Sequence, residues 1–153
     1  MAKRKKGHLT FRSAAVFIFL SAIAEVVSST AEVPLFGRIA GGAGAVVYHV
    51  GYCVLYLFLG IGLWRAAHWG RQLVFAATGW YTLEKLAVLV FPDAAVELML
   101  AQISRYGVIS GNINTVFLRQ AIQAVTLTGV LCWWGFALYT YIRRAYFNPP
   151  SDS

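Results

Sequence analysis

Four separate apolar runs of membrane length dominate this chain and leave few ways to fold it. They cover 13–31, 46–64, 73–91 and 121–142. Each is close to the ~20 residues a helix needs to cross ~30 Å of hydrocarbon. A helix satisfies its own backbone hydrogen bonds in lipid, whereas an open strand cannot. A soluble fold would have to bury all four runs. With 59% hydrophobic and only 12% charged residues, too little polar sequence remains to cover them. The expected fold class is an all-α integral membrane protein, with residues 1–153 forming one domain of four transmembrane helices in an up-down bundle.

The basic residues set the expected orientation. Lys3, Arg4, Lys5, Lys6, Arg12, Arg65, Arg71, Arg143 and Arg144 fall on one side of such a bundle, and Arg38, Arg105 and Arg119 on the other. The positive-inside rule puts the first group in the cytoplasm, so both ends are expected there. The formal charge of +7 is thus assigned to topology and to anionic lipid headgroups, with Lys3, Arg4, Lys5, Lys6, Arg65, Arg71, Arg143 and Arg144 as the headgroup contacts. No extended basic face exists, and nucleic acid is not an expected partner. The first run is not read as a cleaved leader, because it is long for one and contains Glu25.

The connections differ in character. Residues 32–45 contain Pro34 and several glycines and read as a flexible, turn-prone segment. After Pro92, Val96, Met99, Leu100 and Ile103 follow a helical stripe with Asp93, Glu97 and Arg105 elsewhere. That pattern predicts a short amphipathic helix over about 93–106 in the outer loop, started by Pro92 and ended by Gly107. Residues 107–115 read as loop. The turn from Arg65 to Arg71 is tight, so the second and third helices are expected to be antiparallel neighbours. The stretch Gly62-Leu63-Trp64-Arg65 to Trp69-Gly70-Arg71 is similar to the cytoplasmic hairpin turn of many small bacterial membrane proteins, a likeness of shape that carries no function. The expected location is a cell membrane, a bacterial inner membrane.

Ionisable groups at membrane depth are the only candidates for chemistry. Each costs a few kcal/mol in hydrocarbon and normally faces protein or water beside a partner. Glu25, Glu84 and Lys85 lie well inside the runs. Counting at 1.5 Å per residue puts Glu25 and Lys85 both about 20 Å from the cytoplasmic end, a match that allows a Glu25–Lys85 pair. Tyr52 falls at the same level and His49 one turn further out. Polar residues recur every three or four positions in all four runs: Ser21, Glu25, Ser28 and Glu32; Tyr48, Tyr52 and Tyr56; Thr78, Tyr81 and Lys85; Arg119, Gln123 and Thr126. These faces are expected to turn inward as one polar layer, with Glu25, Lys85, Glu84, His49, Tyr52 and Gln123 as its central members. Glu84 and Lys85 point about 100° apart on a helix, so one of them is expected to face a second protein.

Other motifs are missing. Cys53 and Cys132 stand alone in apolar runs, without a paired cysteine or Cys/His cluster. There is no phosphate loop, nucleophile elbow, zinc-protease or dinucleotide motif. No catalytic residue, cofactor or metal is expected. The leading expectation is a small non-catalytic membrane subunit that packs against other membrane protein subunits to assemble or stabilise a complex. A homo-oligomeric transporter or channel with Glu25 and Lys85 on the path is the alternative. A lipid- or quinone-active membrane enzyme using Glu25 or His49 is the third.

Overall fold

The computed structural model describes residues 7–105 and 114–147. The described residues are overwhelmingly helical: α1 (His8–Val27), α2 (Gly42–Trp64), α3 (His68–Val90), α4 (Asp93–Arg105) and α5 (Thr115–Ile142). Four of these helices, all but α4, are long and apolar enough to cross a membrane. By length and composition this is a multi-pass membrane protein.

All four long helices extend past the apolar runs that announce them. Hydrophobicity marks only the greasy stretch, whereas a helix continues until its backbone is capped or turned. Thus α1 starts five residues earlier than the first run, and α5 starts at Thr115, where the Asn114 side chain accepts hydrogen bonds from the Val116 and Phe117 backbone N–H groups. Its 28 residues make a rod of about 42 Å, longer than a bilayer core. At the other limit, α1 stops at Val27 rather than Ala31, because its last residues give way to a turn.

The segment expected to be a flexible turn is instead a small two-stranded hairpin within an otherwise all-helical fold. Strands β1 (Val33–Leu35) and β2 (Arg38–Ala40) pair antiparallel, with Val33 opposite Ala40 and Leu35 opposite Arg38. Phe36 and Gly37 form its two-residue loop, both at positive φ (48° and 76°). That is the turn whose twist suits a hairpin, and Gly37 takes its second position without a side-chain penalty. Phe36 holds the unfavourable first position and carries no sequence signal for it.

Among the long helices, α1 packs on α2, α2 on α3, and α3 on α5. Phe11 also meets Phe136 and Tyr139, which brings the start of α1 to the end of α5. The main apolar core lies at this end. It gathers Phe11 and Ala15 of α1, Leu59 and Leu63 of α2, Val74 and Ala77 of α3 and Ala137 of α5. The chain then folds back in a short 3-10 turn, Arg144–Tyr146, and lays Tyr146 against Phe11 with ring centres 4.7 Å apart. Burial raises the Tyr146 hydroxyl above its ordinary pKa, and Arg12 offsets part of that rise. At the opposite end, α4 lies against the hairpin and the start of α5. Asp93 in its first turn pairs with Arg119 of α5.

Much of the surface is apolar. Phe17, Val27, Phe117 and Val125 are each at least 70% exposed. Faces of this kind are stable against hydrocarbon or another apolar protein face, and would drive aggregation in water. Residues 3–6 and 107–113, which include the four N-terminal headgroup contacts and the Gly107 helix end, lie outside the described residues.

Candidate functional site

The intramembrane polar groups collect toward the hairpin end as two hydrogen-bonded clusters, which touch where the Tyr48 and His49 rings meet edge to face with centres 5.4 Å apart. The first joins α1 to α2. Glu25 comes from the last two turns of α1, and its Oε2 lies 2.6 Å from His49 Nδ1. His49 Nε2 lies 3.1 Å from the Ala31 carbonyl oxygen, just beyond α1. A carbonyl only accepts, so Nε2 carries a hydrogen and donates it. The Nδ1–Oε2 line therefore holds one proton in either of two forms: imidazolium with carboxylate, or imidazole with carboxylic acid. Both are neutral overall. His49 is buried, and Glu25 keeps a fifth of its side chain exposed.

The second cluster joins α2 to α3 around Glu84, which is 1% exposed. Tyr48 donates to its Oε1 at 3.0 Å and Tyr52 donates to its Oε2. Lys85 folds back beside it and donates to Oε1 at 2.5 Å. The ammonium also sits 5.3 Å from the centre of the Tyr81 ring. Every contact to Glu84 comes from a donor, which stabilises the carboxylate, and Lys85 balances its charge. Helical spacing explains the assembly. Tyr48 and Tyr52 are one turn apart on α2, with ring centres 4.8 Å apart, so both hydroxyls reach the same carboxylate.

The depth match between Glu25 and Lys85 does not make a pair. Glu25 takes His49 and Lys85 takes Glu84, because α1 packs on α2 and α3 reaches α2 from elsewhere. Residue counting gives depth but not azimuth, and azimuth decides the partner. The 100° between Glu84 and Lys85 is bridged by the long lysine chain, so neither is left facing outward without a counterion. Gln123 joins neither cluster. Its Nε2 donates to the Leu89 carbonyl at 3.0 Å, one of the acceptors left open at the end of α3. Ser21 faces outward and satisfies itself on the Phe17 carbonyl. Reading from sequence left Tyr48 out of the central members; its spacing of four from Tyr52 was the available signal.

Two larger cavities adjoin these clusters, besides a small one of about 140 Å³ lined by Glu25 and His49. An apolar groove of about 530 Å³ runs between α2 and α3, lined by Gly44, Val47, Tyr48, Gly51, Tyr52 and Ala76 among others. No side chain lies within contact distance of a Cβ placed on Gly51. A polar cavity of about 360 Å³ lies between the end of α1 and α4, lined by Thr30, Ala31, Glu32, Gln102 and Arg105. No group of three or more metal-ligating side chains occurs among the described residues. No family model, curated protein or solved structure matches the chain.

Proposed function

We propose that this chain is a small non-catalytic membrane subunit, four-pass with both ends cytoplasmic, that packs against other membrane proteins to assemble or stabilise a complex. The observation that carries this reading is that the intramembrane charges are already neutralised within the chain. Glu84 has three donors, one of them its counterion Lys85, and Glu25 has His49. Such groups fix one helix arrangement rather than wait for a substrate. The bundle reading, with N and C termini on the Arg-rich side of a bacterial inner membrane, rests on the distribution of basic residues.

The α2–α3 groove suits a partner helix. Transmembrane helices approach most closely over small residues, and Gly44, Gly51 and Ala76 lie open on its floor. A photo-crosslinking residue at Val47, on the groove wall, is expected to capture a membrane partner in native membranes. The same residue at Val125, exposed on α5, is not. Gly51→Leu fills the groove and is expected to abolish the Val47 product without lowering thermal stability in detergent. A wild-type chain that purifies from its own membranes in mild detergent as a solitary monodisperse particle, with no Val47 product, removes the proposal.

One observation favours a second reading, a proton-coupled transporter. The Glu25–His49 pair ends on the Ala31 carbonyl, and Ala31 also borders the polar cavity, which sets an exchangeable His49 N–H one residue from that cavity. Lys85 has no place in this arrangement. Glu25→Gln is then expected to abolish proton-driven flux in reconstituted vesicles while the chain stays folded. Loss of stability alone, with no flux in the wild type, returns Glu25 to a packing role.

A further inference from the structure

Another large cavity lies at the other end, where the helices carry arginines. On α1, Arg12, Val16 and Phe19 are spaced i, i+4, i+7, and on α2, Ile61, Trp64 and Arg65 are spaced i, i+3, i+4. Each set is one helix face, and the two faces meet in a groove of about 620 Å³ lined by Val16, Phe19, Ile61, Trp64 and Arg65. The Phe19 ring sits where a Cβ on Gly60 would be, 2.6 Å away, which closes the deep end of the groove. Arg65 stands at the other end, and the Arg12 guanidinium lies 4.8 Å from the centre of the Trp64 ring, held on that lining side chain without lining the groove itself. The groove is therefore greasy at depth, with Arg65 at its mouth and Arg12 on the Trp64 ring.

Among the described residues, the cations at this end have no carboxylate partner. The described carboxylates, Glu25, Glu32, Glu84, Asp93 and Glu97, all lie in the half of the molecule that holds the hairpin and α4, and none of the ion pairs among the described residues includes Arg12 or Arg65. A ligand that matches must be anionic at one end and apolar along its length. Trp64 at the level of the arginines is the side chain favoured at a headgroup boundary.

We infer that this groove is a binding site for one anionic diacyl phospholipid, with an acyl chain along Val16, Phe19 and Ile61 and the phosphate between Arg12 and Arg65. The site rests on the membrane reading and is independent of any protein partner. It differs from a diffuse attraction of the basic end for acidic headgroups, because it requires these two arginines and the groove below them.

The test is native mass spectrometry of the delipidated full chain, titrated with phosphatidylglycerol or with phosphatidylcholine of the same acyl chains. One phosphatidylglycerol is expected to bind in preference to phosphatidylcholine. The double variant Arg12→Gln/Arg65→Gln is expected to bind it about thirtyfold more weakly, given roughly 1 kcal/mol for each of the two cations near a headgroup. Arg71→Gln/Arg144→Gln removes the same charge from the same end, at headgroup contacts outside the groove, and is expected to weaken binding much less. Val16→Trp fills the groove without changing charge and is expected to weaken binding as well, which keeps the test decisive if the arginine variant folds poorly. Equal binding of the two lipids, or equal loss in the two double variants, overturns the site. Because only the isolated chain and lipid are present, such a failure leaves the partner proposal standing, and absence of a partner leaves this one standing.

Discussion

Glu84→Ala is expected to destabilise the chain by about 3–5 kcal/mol, because it strips the counterion from a lysine that stays mostly buried. The size follows from what each group loses. Tyr48 and Tyr52 each lose a neutral-to-charged hydrogen bond, and hydrogen bonds between transmembrane helices average only about 0.6 kcal/mol. Tyr52→Phe is therefore expected to cost about 1 kcal/mol. Lys85 loses far more. Three-quarters of its side chain is buried, and the next residue supplied its only counterion among the described residues. The double variant Glu84→Leu/Lys85→Met removes both charges and is expected to recover most of the loss, since an apolar pair of similar volume often replaces a buried ion pair without penalty. Equilibrium unfolding in mixed micelles measures all three. A Glu84→Ala loss within about 1 kcal/mol of Tyr52→Phe would mean that Lys85 finds water or headgroups instead, and the cluster would no longer count as the lock between α2 and α3.

That cluster marks the boundary of what the sequence discloses. Four long apolar runs were legible because the length of a helix in lipid is set by bilayer thickness, a constraint the chain cannot evade. The helix α4 was legible from its stripe, of which Val96 is buried, Leu100 and Ile103 are half-buried and Met99 is exposed. Of the residues read as central to a polar layer, Glu25, His49, Tyr52, Glu84 and Lys85 lie in one cluster or the other and Gln123 in neither. Pairing was not legible. Glu25 and Lys85 share a depth, yet which faces of two helices meet depends on packing of residues far away, such as Phe19 over Gly60. The hairpin escaped notice because glycines at 37, 41, 42 and 44 look like flexibility, while the decisive torsion sits on Phe36, where no residue preference announces it. The small end-core formed by Phe11, Tyr146 and Phe147 was equally hidden, because it joins residues more than 130 positions apart.

Gly70→Ala is expected to cost about 1–3 kcal/mol, although it replaces glycine by the best helix former. A Cβ there would lie 2.6 Å from the Gly62 carbonyl carbon and 2.7 Å from the Gly62 Cα and oxygen. All three are backbone atoms, so no rotamer change makes room and α2 and α3 must separate. The tight connection between them prevents that separation from being local. Gly62 accepts from the Ala67 N–H at 3.0 Å, and Ala66 already occupies a left-handed conformation at φ 54°. Opening the hairpin there tilts Leu59 and Leu63 away from Val74 and Ala77, the centre of the apolar core. Gly79→Ala supplies the control on the same helix. Nothing lies within 4 Å of its new Cβ, so it is expected to be neutral or to stabilise by up to about 1 kcal/mol. Gly62→Ala is expected to resemble Gly70→Ala, and the double variant to cost less than the two together, because the first methyl has already forced the helices apart. Unfolding of all four variants in one detergent decides the matter. If Gly70→Ala and Gly79→Ala behave alike, backbone contact at this crossing does not hold α2 on α3, and the groove at the far end of the same helix pair cannot owe its width to it.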